Sequence, residues 1–444
     1  MNTIPDLAKL FDAVDRESPV IVAVSGGSDS LALLHLTSSW AKQTDVELKV
    51  VTVDHGLRPE AAAEAAYVAG ICEGLYLNHY TLSWEGMKPT SGLSEAAREA
   101  RYLLLSEFAE DVGANVVLTG HTCDDQAETV WMRNSRGGEG TQARGLAGMA
   151  NSMQLPSGVI VKRPLLGLTR KELRRYLRDI GQSWIEDPSN DDASFERVRV
   201  RQVLGEVEIS AAEIARFATL AGRQRRLISS AVAKLLTNAL QLQPGLVFAV
   251  DQSALETPIE AVNNLAVRIM VAMAGGRKHL ISEDLAEQIL HMTAGERLSA
   301  GHAIVECHSN VFRFYREKRH LDFIEIQPGK KVVWDNRLVV DNQSDRGFVC
   351  TVLSRKELLE FETQWQMKLE VQPRAALLSM PVLLRDDGEL AFPFLEYFEC
   401  EPGLELKYRI PAIEHFCPDF DFPLLDVADR VRLLTKLENI SPDI

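Results

Sequence analysis

The stretch that decides the fold is Val20-Ile-Val-Ala-Val-Ser25-Gly-Gly-Ser-Asp-Ser30, which leads into the apolar run Leu31-Ala-Leu-Leu-His-Leu36. The first run is typical of a buried strand, the Ser/Gly cluster of a turn, and the second run of a helix. The same order of strand and polar turn returns at 48–56 and at 115–121, with helical spacing between. Strands that alternate with helices predict an α/β fold with a doubly wound parallel sheet, whose functional loops lie at the carboxyl ends of the strands. All three polar turns fall at that edge.

Helix and loop signals extend this pattern to about residue 200. Apolar spacing predicts a helix over 94–112 that Gly113 ends, and Thr169 is expected to cap a basic helix through Ile180. The glycine-rich stretch 136–148 predicts a long loop, and Asp187-Pro-Ser-Asn190 predicts a turn.

The chain length predicts two or three domains. We assign residues 1–205 to the sheet domain, 206–320 to a mainly helical second domain, and 321–444 to a smaller mixed α/β C-terminal domain. Strands are expected at 304–305, 311–314, 331–334 and 338–340.

The composition is that of a chain able to bury ordinary cores, because 46% of its 444 residues are hydrophobic. The N-terminus has no basic stretch before an apolar one, and no later segment stays apolar long enough to cross a bilayer, so we predict a cytoplasmic protein without membrane contact. The six cysteines are scattered without a Cys-x-x-Cys pair. Reduced structural thiols are therefore the simpler interpretation than a zinc, iron–sulfur or redox site.

The net charge of −15 argues against a polyanionic partner when only the sum is considered. Its distribution is uneven, however: residues 321–444 hold 14 Lys and Arg against 23 Asp and Glu. Residues 162–201 hold ten Lys and Arg against seven Asp and Glu. The second segment is the one that can meet a polyanion.

The turn after the first strand has the composition of a phosphate site. Gly26 and Gly27 let backbone N–H groups approach an anion at the positive end of the following helix, and Ser25, Ser28 and Ser30 add hydroxyl donors. Asp29 makes sense in such a site if a Mg²⁺ ion bridges its carboxylate to phosphates. The alternative to a phosphate site is a purely structural Gly-Gly turn capped by serine. A P-loop is excluded because no Gly-Lys-Ser/Thr follows.

This turn resembles the pyrophosphate loop of the N-type ATP pyrophosphatases, which split ATP between its α and β phosphates and transfer AMP to a substrate oxygen. Within that superfamily the chain resembles the tRNA(Ile)-lysidine synthetases. The further matching motifs follow in order along the chain: Val53-Asp-His-Gly-Leu-Arg58, Glu95-Ala-Ala-Arg-Glu-Ala-Arg-Tyr102, His121-Thr-Cys-Asp-Asp-Gln-Ala-Glu-Thr129, Arg163-Pro-Leu-Leu166, Glu186-Asp-Pro-Ser-Asn190 and Arg197-Val-Arg-Val-Arg201.

The resemblance implies a ligase that converts the wobble cytidine of a CAU-anticodon tRNA(Ile) to lysidine. ATP adenylates the C2 oxygen of the base, and the ε-amine of L-lysine then displaces AMP. ATP is the co-substrate, and Mg²⁺ held by Asp29 is the implied metal. The resemblance also implies a tRNA-contacting role for residues 321–444. Whether the chain forms a homodimer is left open.

Asp125 and Glu128 are three residues apart, so both lie on one face of a helix and can together hold an ammonium group. The alternative is an acidic helix start, favoured by capping and by the helix dipole. The resemblance assigns both residues to lysine binding, together with Arg101 and Asn190.

His121 follows a strand, where a histidine can face a ligand, and the resemblance places it at the reaction centre with Asp29 and Arg201. Arg201 is the last of three arginines spaced by two, and its alternative is a solvated helix face. Thr122 stands where the family usually has a second histidine, and Val198 where it has an asparagine.

Two other functions fit parts of the sequence. A tRNA thiolase of the same superfamily normally needs catalytic or cluster-binding cysteines, and only Cys123 lies near the predicted site. A nucleotide- or RNA-binding module without catalysis would not need the acidic and histidine residues that the motifs retain.

Overall fold

The computed structural model describes residues 6–136, 142–186, 196–206, 209–385, 388–395 and 402–435. The chain forms two compact units, of which the first comprises Met1–Arg225 and Phe416–Phe420 and the second Arg226–His415 and Asp421–Ile444. The predicted division of the chain at 205 and 320 into three domains remains a prediction.

The first unit alternates strands and helices. Its strands are β1 (Val20–Ala23), β2 (Leu48–Asp54), β3 (Asn78–Ser83), β4 (Val116–Thr119), β5 (Ser152–Gln154), β6 (Ile160–Lys162) and a last strand, Cys417–Pro418. Its helices are α1 (Leu7–Leu10), α2 (Ser28–Thr44), α3 (Ala61–Leu75), α4 (Leu93–Val112), α5 (Cys123–Arg136), α6 (Gln142–Gly145), α7 (Arg170–Asp179) and α8 (Glu196–Glu206), and the next helix, α9 (Ala211–Ala239), contains the boundary between the units.

The strands form one seven-stranded sheet in the order Cys417–Pro418, β5, β6, β4, β1, β2, β3. The five strands from β6 to β3 are parallel, which confirms the predicted doubly wound parallel sheet. The last two strands at the β5 edge are antiparallel, which the sequence did not predict. The chain order reverses at β1, so the crevice beyond the carboxyl ends of β1 and β4 is the expected ligand position.

Alternate residues of the central strands enter two different cores. Val20 and Val22 of β1 pack with α2 and α7 on one face, whereas Ile21 packs with Tyr102 and Leu105 of α4 on the other. All three β1 side chains are fully buried, and each contributes roughly 1.5–3 kcal/mol of hydrophobic stabilisation. The two covered faces hold the strand ends in fixed positions.

The helix boundaries that position the site follow local signals. Gly113 ends α4 in the left-handed conformation, as predicted. Thr169 caps α7 in a reciprocal arrangement with Glu172, which confirms the predicted start of the basic helix. The predicted loop 136–148 was wrong in one part, because Gln142–Gly145 form the single helical turn α6. The predicted turn at 187–190 lies outside the described residues.

The second unit contains more strand than the sequence predicted. Its first sheet has the order β7 (Gln241–Gln243), β8 (Val247–Asp251), β11 (Val311–Arg316), β10 (Ala303–His308), β9 (Arg297–Ala300), and it is accompanied by α10 (Glu260–Gly275) and α11 (Glu283–Leu290). The strands expected near 304 and 311 are confirmed as β10 and β11. β7, β8 and β9 were not predicted, because they lie in the segment expected to be mainly helical and runs of three to five residues are too short to distinguish a strand from part of a helix.

The remaining elements of the second unit form two small antiparallel sheets. One sheet has the order β12 (Ile324–Ile326), β15 (Phe348–Thr351), β16 (Val382–Arg385), β17 (Leu390–Ala391). The other has the order β13 (Lys331–Trp334), β14 (Leu338–Asn342), β18 (Leu404–Tyr408). The helices are α12 (Arg355–Gln364), α13 (Pro411–Glu414) and α14 (Leu425–Thr435). The strands expected at 331–334 and 338–340 are confirmed. In the part of the chain that is described, no helix has the length and apolar character needed to span a membrane.

Candidate active site

A cavity of about 740 Å³ opens in the first unit beyond the carboxyl ends of β1 and β4. It lies at the point where the strand order reverses, which is the position expected for a ligand site in a doubly wound sheet. Most of the predicted site residues line it: Ser25, Gly27, Ser28, Asp29, Ser30, Arg101, His121, Asp125 and Arg201. Asn190 lies outside the described residues, so its predicted lysine contact remains a prediction.

The serines of the glycine turn hold the turn in shape. The Ser30 hydroxyl donates to the carbonyl of Gly27 at 3.0 Å and accepts from the backbone N–H of Ser25 at 3.1 Å. The Ser28 hydroxyl donates to Asp29 at 3.0 Å. Within the described structure no side chain caps the N-terminus of α2 at Gly27, so the first N–H groups of that helix face the cavity without a capping acceptor. Such an end binds phosphate readily.

Gly26 meets a requirement that few other residues could satisfy. Its φ is +88°, in the region that favours glycine, and a Cβ there would lie 2.9 Å from Cδ1 of Ile185. The Ile185 N–H also donates to the carbonyl of Gly26 at 3.0 Å. The segment before residue 187 therefore packs directly on the turn.

Asp125 and Glu128 lie at the start of α5, as predicted. Asp125 accepts from the backbone N–H and the hydroxyl of Thr122, each at 2.8 Å. Although burial opposes ionisation, Arg170, His121 and Thr122 hold the pKa of Asp125 below its ordinary value. Glu128 is only 2% exposed, and its Oε2 is buried without a hydrogen-bond partner among the residues that the structure describes. A buried carboxylate oxygen in this state is costly unless a ligand donates to it.

Two arginines contact these carboxylates. The Arg201 Nε donates to Oε1 of Glu128 at 2.9 Å, so this arginine is not on a merely solvated helix face. The Arg170 guanidinium lies 3.0 Å from Asp29, 3.1 Å from Asp125 and 3.7 Å from Glu128. Arg170 thus joins the phosphate turn to the acidic pair.

His121 lies beside a hydroxyl at the end of β4. Its Nδ1 is 3.0 Å from the Thr119 hydroxyl, which also lies 3.4 Å from the carbonyl of Lys162. Burial and the charge of Arg163 hold the pKa of His121 well below its ordinary value, against the opposing effect of Asp125. The ring is therefore neutral at pH 7, and one of its two nitrogens is a hydrogen-bond acceptor.

Sequence reasoning missed Arg170 and Arg174 as site residues and placed them only in a basic segment. Arg174 lines the same cavity, donates to the Ser28 hydroxyl at 3.3 Å, and pairs with Glu186 at 3.0 Å. The sequence did contain a signal for Arg170. It is the first residue of α7, where a cation is unfavourable in the helix dipole unless an anion lies close, so its position indicates a nearby carboxylate or phosphate. These two arginines of the basic segment 162–201 therefore form ion pairs within the first unit.

Asp29 is the residue of the turn that can contribute to a metal site. Its carboxylate is a hard oxygen donor beside the N-terminus of α2, and burial raises its pKa although Arg170 opposes this. Across the described ranges, no three His, Cys, Asp or Glu side chains are grouped to hold a metal alone. One carboxylate with substrate phosphates and water suits Mg²⁺, which rarely occupies an all-protein cage.

Cys123 does not have the properties of a reactive thiol. It is 2% exposed, and burial raises its pKa to about 11, with a further contribution from Asp124. A thiol in this state is not a nucleophile at neutral pH. Cys123 therefore gives no support to the thiolase alternative.

Known proteins match this chain over its first unit and over nearly its full length. A PP-loop domain family matches residues 2–208. The tRNA(Ile)-lysidine synthase of Brucella anthropi is 36% identical over 442 residues, which cover 94% of this chain and 95% of that protein. The tRNA(Ile)-lysidine synthase of Brucella ovis is 36% identical over 427 residues, covering 93% and 94%. Among solved structures, the U34-tRNA thiolase NcsA from Methanococcus maripaludis with its [4Fe-4S] cluster aligns at a TM-score of 0.42 and 18% identity, covering 48% of this chain and 75% of that one.

The near-complete coverage by the two synthases, together with the PP-loop match over the unit that holds the cavity, fixes the family. The chain belongs to the tRNA(Ile)-lysidine synthases, whose catalytic unit is an ATP-using PP-loop domain.

Proposed function

We propose that this chain is a cytoplasmic ligase that joins L-lysine to the wobble cytidine of a CAU-anticodon tRNA(Ile). The C2 oxygen of the base attacks the α-phosphate of ATP, and pyrophosphate leaves. The lysine ε-amine then attacks C2, the C2–oxygen bond breaks, and AMP leaves with that oxygen. The products are lysidine, AMP and pyrophosphate.

One observation carries the proposal: the phosphate turn and Asp125 line the same cavity, and Glu128 lies behind the cavity wall in contact with Arg170 and Arg201. Arg170, bonded to Asp29 at 3.0 Å and to Asp125 at 3.1 Å, spans the distance between them. A single residue therefore links the part suited to ATP with the part suited to an amine. Adenylation followed by amine attack needs both parts within reach of one base.

The turn Ser25–Ser30 would hold the pyrophosphate part of ATP through the N–H groups at the start of α2 and the serine hydroxyls. Asp29 would hold Mg²⁺, which supplies positive charge to the leaving phosphates. Arg174, which already donates to the Ser28 hydroxyl, would add a guanidinium to the same phosphates.

The acidic pair would bind the amine. Glu128 offers the unpartnered Oε2 and Asp125 a second carboxylate, whereas Arg101 would pair with the lysine carboxylate. We retain Asn190 as a further lysine contact on the basis of the motif. Neutral His121 would accept a hydrogen bond from a substrate N–H at its unprotonated ring nitrogen and adds no positive charge that competes with the ammonium.

A group of arginines in the first unit, of which Arg197 lines the cavity, supports an RNA acceptor. Burial, together with the charges of Arg225, Arg98, Arg163 and Arg197, lowers the pKa of Arg133 to about 10. Like charges held together favour an anion such as an RNA phosphate, which would offset their repulsion. We also retain the proposal that residues 321–444 contact the tRNA.

The test is direct. Purified protein is incubated with ATP, lysine and the CAU-anticodon tRNA, and the digested RNA is searched by mass for a cytidine–lysine adduct. The same tRNA with the wobble cytidine replaced by uridine is the control, and it should yield no adduct. An unmodified cytidine from protein that is shown to be folded would refute the assignment.

A further inference from the structure

Arg170 uses a different nitrogen for each of three carboxylates. Nε lies 3.0 Å from Asp29, Nη2 lies 3.1 Å from Asp125, and Nη1 lies 3.7 Å from Glu128. Its side chain is one-fifth exposed, and Glu128 is almost wholly buried. These carboxylates are the groups to which the proposed function gives Mg²⁺ and the lysine ammonium.

The charges in this cluster do not balance. Asp29, Asp125 and Glu128 face two guanidinium groups, those of Arg170 and Arg201. Among these contacts one carboxylate charge is unmatched, although Arg101 and Arg174 line the same cavity, and within the described residues the Oε2 of Glu128 is buried without a hydrogen-bond partner. Without Arg170 the three carboxylates would keep only the ion pair of Glu128 with Arg201, so their mutual repulsion in this partly desolvated site would increase.

We propose that Arg170 is the internal counter-ion of the amine pocket, and that it gives up Asp125 and Glu128 when a substrate ammonium enters. This inference rests on the proposed function. It makes Arg170 a specificity-determining residue. An amine binds only if its own contacts with the site outweigh the ion pairs of the Arg170 guanidinium that it displaces.

The geometry allows this exchange without releasing the arginine. The Nε contact with Asp29 is separate from the two Nη contacts, so the side chain stays anchored while Nη1 and Nη2 let go. The contact with Glu128 is the longest of the three, at 3.7 Å, and this residue also carries the unpartnered oxygen. Asp125 lines the cavity and is therefore the carboxylate that the ammonium meets first, and Oε2 of the more deeply buried Glu128 becomes its second acceptor once Nη1 has moved away.

The experiment compares Arg170→Ala with Arg175→Ala. Arg175 lies on the same helix, but its exposed side chain pairs with Asp179 at 3.9 Å and does not line the cavity. Lysine affinity is measured by calorimetry without ATP or RNA, and the melting temperature is measured with and without millimolar methylguanidinium. The second probe tests the vacated guanidinium position without using lysine.

We expect Arg170→Ala to bind lysine on the order of tenfold more tightly than wild type, because one competing charge within about 4 Å of the ammonium is gone. Methylguanidinium should raise the melting temperature of Arg170→Ala but not that of wild type or Arg175→Ala. Unchanged or weaker lysine binding by folded Arg170→Ala would overturn the exchange, and failure of methylguanidinium to stabilise it would overturn the counter-ion role. If methylguanidinium stabilises Arg170→Ala but neither wild type nor Arg170→Ala binds lysine, lysine is refuted as the substrate. The proposed exchange of Arg170 for the lysine ammonium is then refuted as well.

Discussion

Gly120 lies so close to Asp29 that a Cβ at position 120 would come within 2.9 Å of the backbone oxygen of Asp29. The end of β4 thus packs against the first turn of α2 with no room for a side chain. Gly120→Ala should destabilise the first unit by roughly 1–3 kcal/mol, as overpacking does, and should reduce AMP formation by displacing Asp29. Denaturant unfolding and AMP release check the two effects.

Gly70 provides the matched control. It lies inside α3, and a Cβ there would meet nothing within 4 Å. Gly70→Ala should be neutral or stabilising by about 0.5–1 kcal/mol, with AMP formation unchanged. Equal stability and activity in both variants would mean that the close approach at Gly120 is unimportant.

Asp29 and Glu128 are expected to affect different steps. Asp29→Ala removes the carboxylate beside the phosphate turn and should abolish transfer of AMP to the RNA. Glu128→Gln keeps the shape but removes the charge, so it should slow the lysine step by at least tenfold while adenylated RNA still forms. Labelled ATP measures the adenylated RNA, and the lysine adduct measures the second step. Equal losses of both products in Glu128→Gln would contradict this division.

The predictable part of the fold is the part whose signals are local. β1, β2 and β4 could be predicted because each is an apolar run that ends at a polar, glycine-containing turn. The strand Cys417–Pro418 could not, because its two residues pair with β5, which lies far away in the sequence. The site divides in the same way, since Asp125 and Glu128 share a helix face, whereas the contact between Arg170 and Asp29 exists only after α7 has packed against α2.

His121 should make stability depend on pH in a defined direction. Burial and Arg163 lower its pKa in the folded state, so below about pH 6.5 the unfolded chain binds a proton that the folded chain does not. The stability that neutral His121 contributes is present above that pH and is lost as the pH falls towards its folded pKa. Between pH 6 and 4.5, His121→Gln should reduce the slope of the unfolding free energy by up to about 1.4 kcal/mol per pH unit, as measured by urea unfolding.

Other histidines also contribute to the pH dependence of the unfolding free energy. Burial also lowers the pKa of His35, His55, His79 and His302, so part of the slope should remain in His121→Gln. An unchanged slope in the variant would show that His121 does not stay neutral in the folded protein.

Cys123 separates the ligase from the thiolase alternative. Its thiol is buried with a pKa of about 11, and we give it no part in the reaction. Cys123→Ala removes a single buried sulfur atom and should retain formation of both AMP and the lysine adduct. Loss of product by the folded variant would return the thiolase to consideration, and a search for thiolated RNA would follow.

Asp419 holds the last strand against β5 within the first unit. Its Oδ2 accepts from the backbone N–H of Ser152 at 2.8 Å, next to the pairing of Cys417 with Gln154. Asp419→Ala leaves that N–H without its carboxylate acceptor and should lower local stability by about 1–3 kcal/mol, because hydrogen bonds to charged groups are among the stronger ones. Faster hydrogen exchange in peptides covering 152–162 would report this loss. Asp179→Ala, which breaks only an exposed ion pair with Arg175, should change that exchange little, and equal exchange in the two variants would contradict the role of Asp419.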